Sequence, residues 1–311
     1  MQLPTDLRTR LEALCSALPV KALQAADEAV RVRYRGDRGK LSNEQLQIQN
    51  EAEAIAYCAT RFPATYGVAI KAAQEMTLQA PVTLLDIGAG PATATLALAS
   101  MFDITHATLL EPNNHLRACG EKLLEVLPHN WVPHTFEQYK VDTQFDIVVA
   151  SYMFNEAKSD FAKLWALTKQ YLLIIEPGTP HGFSIIYTLR EEARKQNISI
   201  IGPCSHTQAC PLFTLNRWCH FSVRIDRTKL HRAIKDADLN YEDEKFSYLL
   251  LSKAPIVQEK YDRLIGHPRG TKLIEAELCT AEGRIEMAKI PKSHPKHKQF
   301  RKSAWGDRVN Y

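Results

Sequence analysis

One stretch, in which an apolar run ends in an acid and then turns through two glycines, most constrains the fold of this chain. It reads Thr83-Leu-Leu-Asp-Ile-Gly-Ala-Gly-Pro91 and continues into the helix-forming residues 92–99. Glycine accepts a positive φ and lets backbone amides approach a ligand closely, as a tight turn after a strand requires. Proline suits the first helical position, because its missing N–H would have no partner there. We therefore predict a strand, a ligand-binding turn and a helix in direct succession.

The spacing of the two glycines bears on the kind of ligand. Dinucleotide sites have the pattern Gly-x-Gly-x-x-Gly, whereas Thr93 stands at the third position in this chain. The run Asp86-x-Gly88-x-Gly90 instead resembles the first motif of class I S-adenosylmethionine-dependent methyltransferases. In that resemblance Asp86 lies near the methionine end of the ligand, and the backbone of the turn passes beneath it.

A second acid completes the predicted ligand site. Glu111 ends the next predicted strand, about twenty residues after the turn, where an acid can accept hydrogen bonds from two ribose hydroxyls. That role suits a dinucleotide and S-adenosylmethionine equally well. The residues that we predict to bind the cofactor are Asp86, Gly88, Ala89, Gly90, Pro91 and Glu111.

Strands and helices alternate from residue 82 onward, with strand candidates at 82–87, 107–111, 131–136, 145–150 and 171–176. Such alternation predicts an α/β fold with a mainly parallel, Rossmann-like sheet and helices on both faces. Residues 1–80 read as an N-terminal helical domain, in which Pro63 is expected to break or kink a long helix. We predict a methyltransferase domain over residues 81–253, with a cysteine-rich insertion at 203–226, and a C-terminal β-hairpin with a basic tail over 254–311.

Positive charge is concentrated in two short segments. Residues 284–311 hold eight Lys or Arg against two acids, and residues 31–40 hold five against one, although the whole chain carries only +4. Such patches contact phosphates, and Tyr34, Phe300 and Trp305 can stack on bases, with a solvated surface as the alternative. No apolar run reaches the length of a membrane span, and no secretory signal stands at the start, so we expect neither an anchor nor secretion.

The loop after the fourth predicted strand, residues 151–156, is where many methyltransferases keep the group that acts on the acceptor. It contains neither the Asn/Asp-Pro-Pro-aromatic motif of base N-methylation nor the Cys nucleophile of cytosine C5-methylation. Tyr152, Asn155 and Glu156 can orient an acceptor, or can equally close the pocket of a protein that no longer transfers methyl groups. We therefore name no catalytic residue from the sequence.

Cysteines crowd into one loop of the chain. Three of the seven fall within sixteen residues, at Cys204, Cys210 and Cys219. Because the chain shows no secretory signal, this crowding favours a metal or cluster site over disulfides. A tetrahedral site needs a fourth ligand, for which His206, His220 and Cys279 are candidates. A histidine there would suit zinc, and four thiolates would suit a [4Fe–4S] cluster.

A resemblance to a known family extends over about residues 57–307. Its motifs are Arg61-Phe-Pro-Ala-Thr-Tyr66, Asp86-Ile-Gly-Ala-Gly-Pro91, Glu176-Pro-Gly-Thr-Pro180, Pro203-Cys-x5-Cys-Pro211, Trp218-Cys-His-Phe221, Glu242-Asp-Glu-Lys-Phe-Ser-Tyr248, Cys279 and Trp305-Gly-Asp307. In this combination they resemble the Rsm-type small-ribosomal-subunit methyltransferase-like proteins, which include mitoribosomal assembly factors and compact bacterial relatives.

The resemblance implies a protein that binds S-adenosylmethionine and the ribosomal RNA (rRNA) of the small ribosomal subunit. It also implies a [4Fe–4S] cluster on Cys204, Cys210, Cys219 and Cys279, with zinc as the alternative metal. Methylation of rRNA is the first function we expect, and a non-catalytic assembly factor is the alternative, since methyl transfer is doubtful for some members. The short chain without a presequence suggests a bacterial, cytoplasmic member, a eukaryotic one being expected in the mitochondrial matrix. We expect no membrane contact, and a monomer away from the ribosome.

Overall fold

The computed structural model describes residues 1–36, 48–79, 81–154, 160–255 and 260–311. Within the chain, contacts define two compact units. The first comprises Met1–Lys71, Leu78–Lys158 and Val223–Glu244, and the second comprises Ala72–Thr77, Ser159–Ser222 and Lys245–Tyr311. Each unit is therefore assembled from segments that lie far apart in the sequence.

The described residues contain ten helices and twelve strands. The helices are α1 Thr5–Cys15, α2 Val20–Gly36, α3 Glu51–Ala73, α4 Thr93–Ala99, α5 Asn114–Leu124, α6 Phe161–Leu167, α7 Pro180–Lys195, α8 Pro211–Thr214, α9 Lys229–Lys235 and α10 His297–Lys302. The strands are β1 Val82–Ile87, β2 Ile104–Leu110, β3 His129–Val132, β4 Phe145–Ser151, β5 Thr168–Pro177, β6 Ser199–Gly202, β7 Phe221–Asp226, β8 Tyr241–Ser252, β9 Asp262–Leu264, β10 Leu273–Cys279, β11 Ile285–Pro291 and β12 Arg308–Val309. None of these helices has the length and apolarity needed to cross a membrane.

Apolar side chains at helical spacing form the N-terminal helices of the first unit. Leu7, Leu11 and Leu14 make the buried face of α1, as a repeat of three and four residues predicts. The long helix α3 continues through Pro63 to Ala73, so this proline lies inside the helix instead of ending it. The residues around Pro63 are almost entirely buried, and their packing offsets the hydrogen bond that proline removes.

Four parallel strands form the centre of the first unit, in the order β3-β2-β1-β4. Leu84 of β1 lies beside Ala107 of β2 and Ile147 of β4, and all three side chains are fully buried. Apolar runs of this kind are expected where both faces of a parallel sheet are covered. The predicted α/β fold of the class I methyltransferases, with a mainly parallel Rossmann-like sheet, is confirmed.

The second unit contains two antiparallel arrangements of strands. In one, β8 pairs with β5 on one side and with β6 on the other. The other is a sheet in the order β11-β10-β9-β12, whose hairpin of β10 and β11 confirms the predicted C-terminal hairpin. The core of this sheet consists of Leu264, Ile274, Ala276, Leu278, Ala288, Ile290, Phe300 and Val309.

The basic C-terminal segment is folded onto this sheet. Phe300, in α10, has no exposed surface and belongs to the sheet's core. The expectation that Phe300 stacks on bases is therefore wrong, because its ring is needed to cover the apolar face of the hairpin. Trp305, by contrast, is partly exposed.

Candidate functional site

Two glycines form the turn between β1 and α4. Gly88 and Gly90 have φ angles of +68° and +55°, in a region that residues with a Cβ rarely adopt. The amides of Gly88 and Ala89 both donate to the carbonyl of Leu110, at 2.9 Å each, which fastens the turn to the end of β2. A Cβ added at Gly88 would lie 3.1 Å from Cγ of Met153. The predicted succession of strand, turn and helix is confirmed.

The helix after the turn begins later than its sequence predicts. Its first residue is Thr93, and Ala92 before it has a left-handed φ of 64°. Pro91 therefore lies within the turn and not at the first helical position. A left-handed alanine costs roughly 1–2 kcal/mol, and no pattern announces it, because alanine is otherwise the best helix former.

Asp86 is a fully buried acid that joins β1 to α4. Its Oδ2 accepts hydrogen bonds from the amide and the hydroxyl of Thr95, at 3.1 and 2.6 Å. Its Oδ1 is buried and has no hydrogen-bond partner among the described residues. Burial raises the pKa of this carboxyl to about 6, although the hydrogen bonds from Thr95 act in the opposite direction. An unpaired buried acceptor is costly, so Oδ1 is a place where the donor group of a ligand can bind.

Glu111 contacts the glycine turn directly. Its Oε2 accepts a hydrogen bond from the amide of Gly90 at 2.9 Å, and its Oε1 accepts one from the amide of Asn113 at 2.8 Å. Its place just after β2, against the turn, is one at which an acid can accept from ribose hydroxyls, and that role stays a prediction. Asn113 was not singled out in the sequence. It caps α5 by accepting from the amides of His115 and Leu116, and an Asn before an amphipathic helix was the available signal.

Only part of the predicted acceptor loop can be placed. Asn155 and Glu156 lie outside the described residues. Tyr152 has a φ of +60°, and Met153 lies close to Gly88. Residues 151–154 therefore contribute a wall beside the glycine turn and no new candidate for a catalytic base.

All four predicted cysteine ligands line one cavity in the second unit. Cys204 follows β6, Cys210 immediately precedes α8, Cys219 lies just before β7, and Cys279 is the last residue of β10. The rest of the cavity wall is mostly apolar. Four separate elements of the fold thus bring the predicted ligand residues to the same enclosed space.

Arg190 of α7 is one of two buried arginines that line this cysteine cavity, the other being Arg263 of β9. Nε of Arg190 donates to Sγ of Cys204 at 3.1 Å, and its Nη2 donates to the carbonyls of His206 and Gln208 at 3.3 and 2.7 Å. Its Nη1 lies 2.5 Å from Oε1 of Glu191. A guanidinium beside a sulfur stabilises the thiolate. No sequence pattern pointed to Arg190, since an arginine on an amphipathic helix has no distinguishing spacing.

Burial governs the ionisation of these thiols. It raises the pKa of Cys279 to about 12, and it also raises the pKa values of Cys210 and Cys219, with a further contribution from neighbouring cysteines. Protonated thiols release their protons when a metal binds. A group of thiols that are buried or partly buried beside a guanidinium therefore fits a metal or cluster site chemically.

His206 and Cys279, two of the candidates for the fourth ligand, contact each other. Nε2 of His206 lies 3.4 Å from Sγ of Cys279, and its Nδ1 is buried without a hydrogen-bond partner in the described part of the chain. Burial, and then the charge of Arg190, lowers the pKa of His206 to about 4, so the ring is in the neutral form that metals bind. His220 is not among the described residues that line the cavity.

Metal binding itself is not evident from the side-chain arrangement. Among the described residues, no group of three or more His, Cys, Asp or Glu side chains is arranged to hold a metal ion. The four cysteines share a cavity without forming such a group. The [4Fe–4S] cluster and the alternative of zinc both stay predictions.

Comparison with known proteins identifies related sequences. The model of the family described as mitochondrial small ribosomal subunit Rsm22 matches residues 51–310. The human protein named mitochondrial ribosome assembly protein METTL17 is 24% identical over 293 residues, covering 83% of this chain and 62% of METTL17. The chain thus spans less than two thirds of the length of that relative.

Solved methyltransferase structures are similar to parts of the chain at low sequence identity. The N-methyltransferase NodS of Bradyrhizobium japonicum, solved with S-adenosyl-L-homocysteine, is 10% identical with a TM-score of 0.41, covering 63% of this chain and 89% of NodS. Precorrin-6y C5,15-methyltransferase of Geobacter metallireducens is 13% identical with a TM-score of 0.39, covering 61% and 87%.

Proposed function

We propose that this chain, which belongs to the mitochondrial small ribosomal subunit Rsm22 family, binds S-adenosylmethionine and rRNA while the small ribosomal subunit is assembled. The family match over residues 51–310 carries the proposal. The printed name of METTL17 gives that relative a role in ribosome assembly and a mitochondrial location. For this chain the assembly role is our proposal, and a cytoplasmic location in a bacterium stays an expectation.

The glycine turn supports S-adenosylmethionine as the small ligand. Oδ1 of Asp86 is a buried acceptor without a partner among the described residues, and an ammonium group is a strong donor for such a carboxylate. Glu111, just after β2, accepts from the amide of Gly90 and lies where an acid can bind ribose hydroxyls. When bound, S-adenosylmethionine supplies an activated methyl group. The turn, Asp86 and Glu111 would bind and orient it.

A basic groove in the second unit supports RNA as the large ligand. The groove has a volume of about 500 Å³ and is lined by Thr271, Lys272, Lys292, His294, Pro295, His297, Lys298 and Arg301. No acid is among these residues, and within the described part of the chain its Lys and Arg side chains form no ion pair. Unpaired cations around one groove attract phosphates and release their counterions on binding.

For the cysteine cavity we propose a [4Fe–4S] cluster held by Cys204, Cys210, Cys219 and Cys279, with zinc as the alternative. Thiolates are suitable ligands for both, and the neighbouring Arg190 offsets negative charge. Metal analysis of anaerobically purified protein, together with its visible absorption spectrum, distinguishes the two. Iron and a coloured sample would support the cluster, whereas zinc without iron in a colourless sample would overturn it.

Two functions fit this combination of sites, and each is favoured by one observation. The complete glycine turn with Asp86 and Glu111 favours methyl transfer to rRNA. The lack of a known acceptor motif in residues 151–156 favours an assembly factor that binds RNA without methylating it. We place methyl transfer first, because Gly88 and Gly90 keep the positive φ angles of a ligand-type turn.

The deciding experiment measures S-adenosylmethionine binding by calorimetry and the transfer of labelled methyl groups to precursors of the small subunit. Gly88→Ala should abolish both, because its Cβ would crowd Met153 at an unfavourable φ. Gly266→Ala is the matched control for the calorimetry of S-adenosylmethionine binding, since a Cβ at Gly266 meets nothing within 4 Å. Binding without transfer to any assembly intermediate would support the non-catalytic function. Wild-type protein that does not bind S-adenosylmethionine would overturn the cofactor proposal.

A further inference from the structure

A second cavity, which we call the aromatic pocket, adjoins the cysteine cavity, since Leu212, Cys219 and Ile265 line both. It has a volume of about 250 Å³. Four of its lining side chains are aromatic, namely Trp218, His220, His267 and Trp305. Neither the glycine turn nor the basic groove accounts for these residues.

The four rings form a continuous wall. Trp218 stacks on His220, with ring centroids 5.6 Å apart and planes inclined by 22°. Trp305 meets His220 edge-on at 4.7 Å and His267 edge-on at 5.4 Å. Trp218 leaves 41% of its surface exposed, which is unusual for so large an apolar side chain. The pocket therefore offers an aromatic face to a planar ligand.

Hydrogen bonds fix this wall and leave one donor unused. Nε1 of Trp218 donates to the carbonyl of Gly178 at 3.2 Å. Beside Trp305, the amide of Gly306 donates to the carbonyl of Leu264 at 2.9 Å. Nε1 of Trp305 is buried and has no hydrogen-bond partner among the described residues. Because an indole N–H can only donate, a ligand that satisfies it brings an acceptor.

Charges at the pocket select against a cationic ligand. Arg269 is exposed, and Arg217 is held by Glu277 through contacts of 2.6 and 2.9 Å. Aromatic cages for methylated ammonium groups rely on ring faces that attract cations, and the charge of Arg269 opposes that attraction. A nucleotide combines a planar base that carries acceptors with a phosphate that an arginine attracts.

We propose that the aromatic pocket binds one unstacked base of single-stranded RNA. The base stacks on Trp218, accepts a hydrogen bond from Nε1 of Trp305, and places its adjoining phosphate near Arg269. This inference rests on the proposed binding of rRNA and adds to it a site for a base, separate from the phosphate-binding groove. Because Cys219 lies in the wall, the pocket is built partly by the loop that carries the predicted cluster ligands.

The test measures the binding of short fluorescein-labelled oligo(U) and oligo(A) ribonucleotides to the full-length protein by fluorescence anisotropy. Trp218→Ala should weaken binding about tenfold, since it removes one base–aromatic stack. Trp305→Phe keeps an aromatic ring but loses the donor, so a loss of about threefold is expected. Trp165→Phe, at a tryptophan that does not line the pocket, is the matched control and should bind like the wild type.

Unchanged affinity in both pocket variants would overturn the proposal. If either variant loses thermal stability, the exposed Arg269→Gln provides a second measurement, and its salt dependence should fall by about 0.7 in logarithmic slope. A mononucleotide that competes as strongly as the oligonucleotide would overturn the RNA assignment and identify a site for free nucleotides. If the wild-type protein binds no small-subunit RNA, the proposed function is overturned as well. If the wild type binds RNA and the pocket variants bind it equally well, only the proposed base site is overturned.

Discussion

The glycine turn and the cysteine cavity both bury groups that can ionise, yet they are constructed in opposite ways. At the turn, the carboxylates already have hydrogen-bond partners in the protein: Asp86 accepts from Thr95, nine residues on, and Glu111 from Gly90, 21 residues before it. The cavity instead collects its cysteines from a loop, the start of α8 and the end of β10. Buried thiols are weak hydrogen-bond donors and acceptors, so they stabilise one another little.

The glycine turn is therefore stabilised by hydrogen bonds within the protein, whereas we expect the cysteine cavity to depend on a bound metal. The hydrogen bonds described at the turn join protein groups to one another. In the cavity, the charged hydrogen bonds described are those of Arg190 and Arg263, and the thiols gain strong partners only when a metal replaces their protons. We therefore expect removal of S-adenosylmethionine to leave the turn folded, and removal of the metal to loosen the cavity.

The largest effect is expected for Cys279→Ser. A serine hydroxyl does not replace a thiolate as a soft ligand, so the variant should lose most of its iron or zinc. Because Cys279 ends β10, proteolysis should then cut more readily within residues 260–311. Metal analysis and limited proteolysis measure both effects. Cys15→Ser, at a buried cysteine of α1, is the control, and full metal content in Cys279→Ser would contradict the ligand assignment.

A smaller but substantial effect is expected for Arg190→Leu. The change removes a buried cation that bonds to Cys204 and to two loop carbonyls, and it should lower the free energy of unfolding by about 4 kcal/mol. Arg194→Leu is a matched control, because Arg194 also pairs with Glu191 but is more exposed. Urea unfolding measures both variants. Equal losses of unfolding free energy in the two variants would show that Arg190 contributes no more than an exposed ion-pair partner and does not stabilise the cavity.

The parts of the fold that local patterns determine were predictable from the sequence. The glycine turn, β1, β4 and the C-terminal hairpin follow from short-range spacing and were found as expected. Pro63 inside α3 and the buried ring of Phe300 were not foreseen. Both outcomes depend on packing against distant segments, which outweighs the preference of a single residue.

The candidate sites were also predictable to different degrees, because local spacing marks some of their residues and contacts between distant segments bring the others together. Asp86 and Glu111 stand at fixed distances from a recognisable turn, and the four cysteines were identified as possible ligands. Arg190 was missed, and of the aromatic wall only Trp305 was singled out as a residue that can stack on bases, since a helix, two loops and a C-terminal segment bring these residues together without a common spacing. Contacts between residues far apart in sequence leave no periodic signal.

Asp86 gives a pH-dependent prediction for the ligand-free turn. Burial raises its folded pKa from 3.8 to about 6, so the folded state holds this proton more tightly than the unfolded chain does. The resulting stabilisation is fully present below about pH 4 and is lost as the pH rises through 6, a change of about 3 kcal/mol. Unfolding free energies of wild type and Asp86→Asn should therefore diverge over this range, with the variant gaining relative to the wild type. The exposed Asp103→Asn is the control, and parallel curves would contradict the prediction.

Glu111→Gln should have the smallest effect, and it tests most closely whether the turn closes without its ligand. Glutamine keeps one acceptor oxygen, so either the amide of Gly90 or that of Asn113 loses its partner. We expect the ligand-free protein to lose about 1 kcal/mol of stability and S-adenosylmethionine to bind about fivefold more weakly, measured by urea unfolding and calorimetry. Glu121→Gln, at an exposed acid of α5, is the control. If the affinity for S-adenosylmethionine falls but the stability of the ligand-free protein does not, Glu111 binds the ribose and does not stabilise the turn. The turn would then depend on its ligand for stability, as we expect the cysteine cavity to depend on its metal.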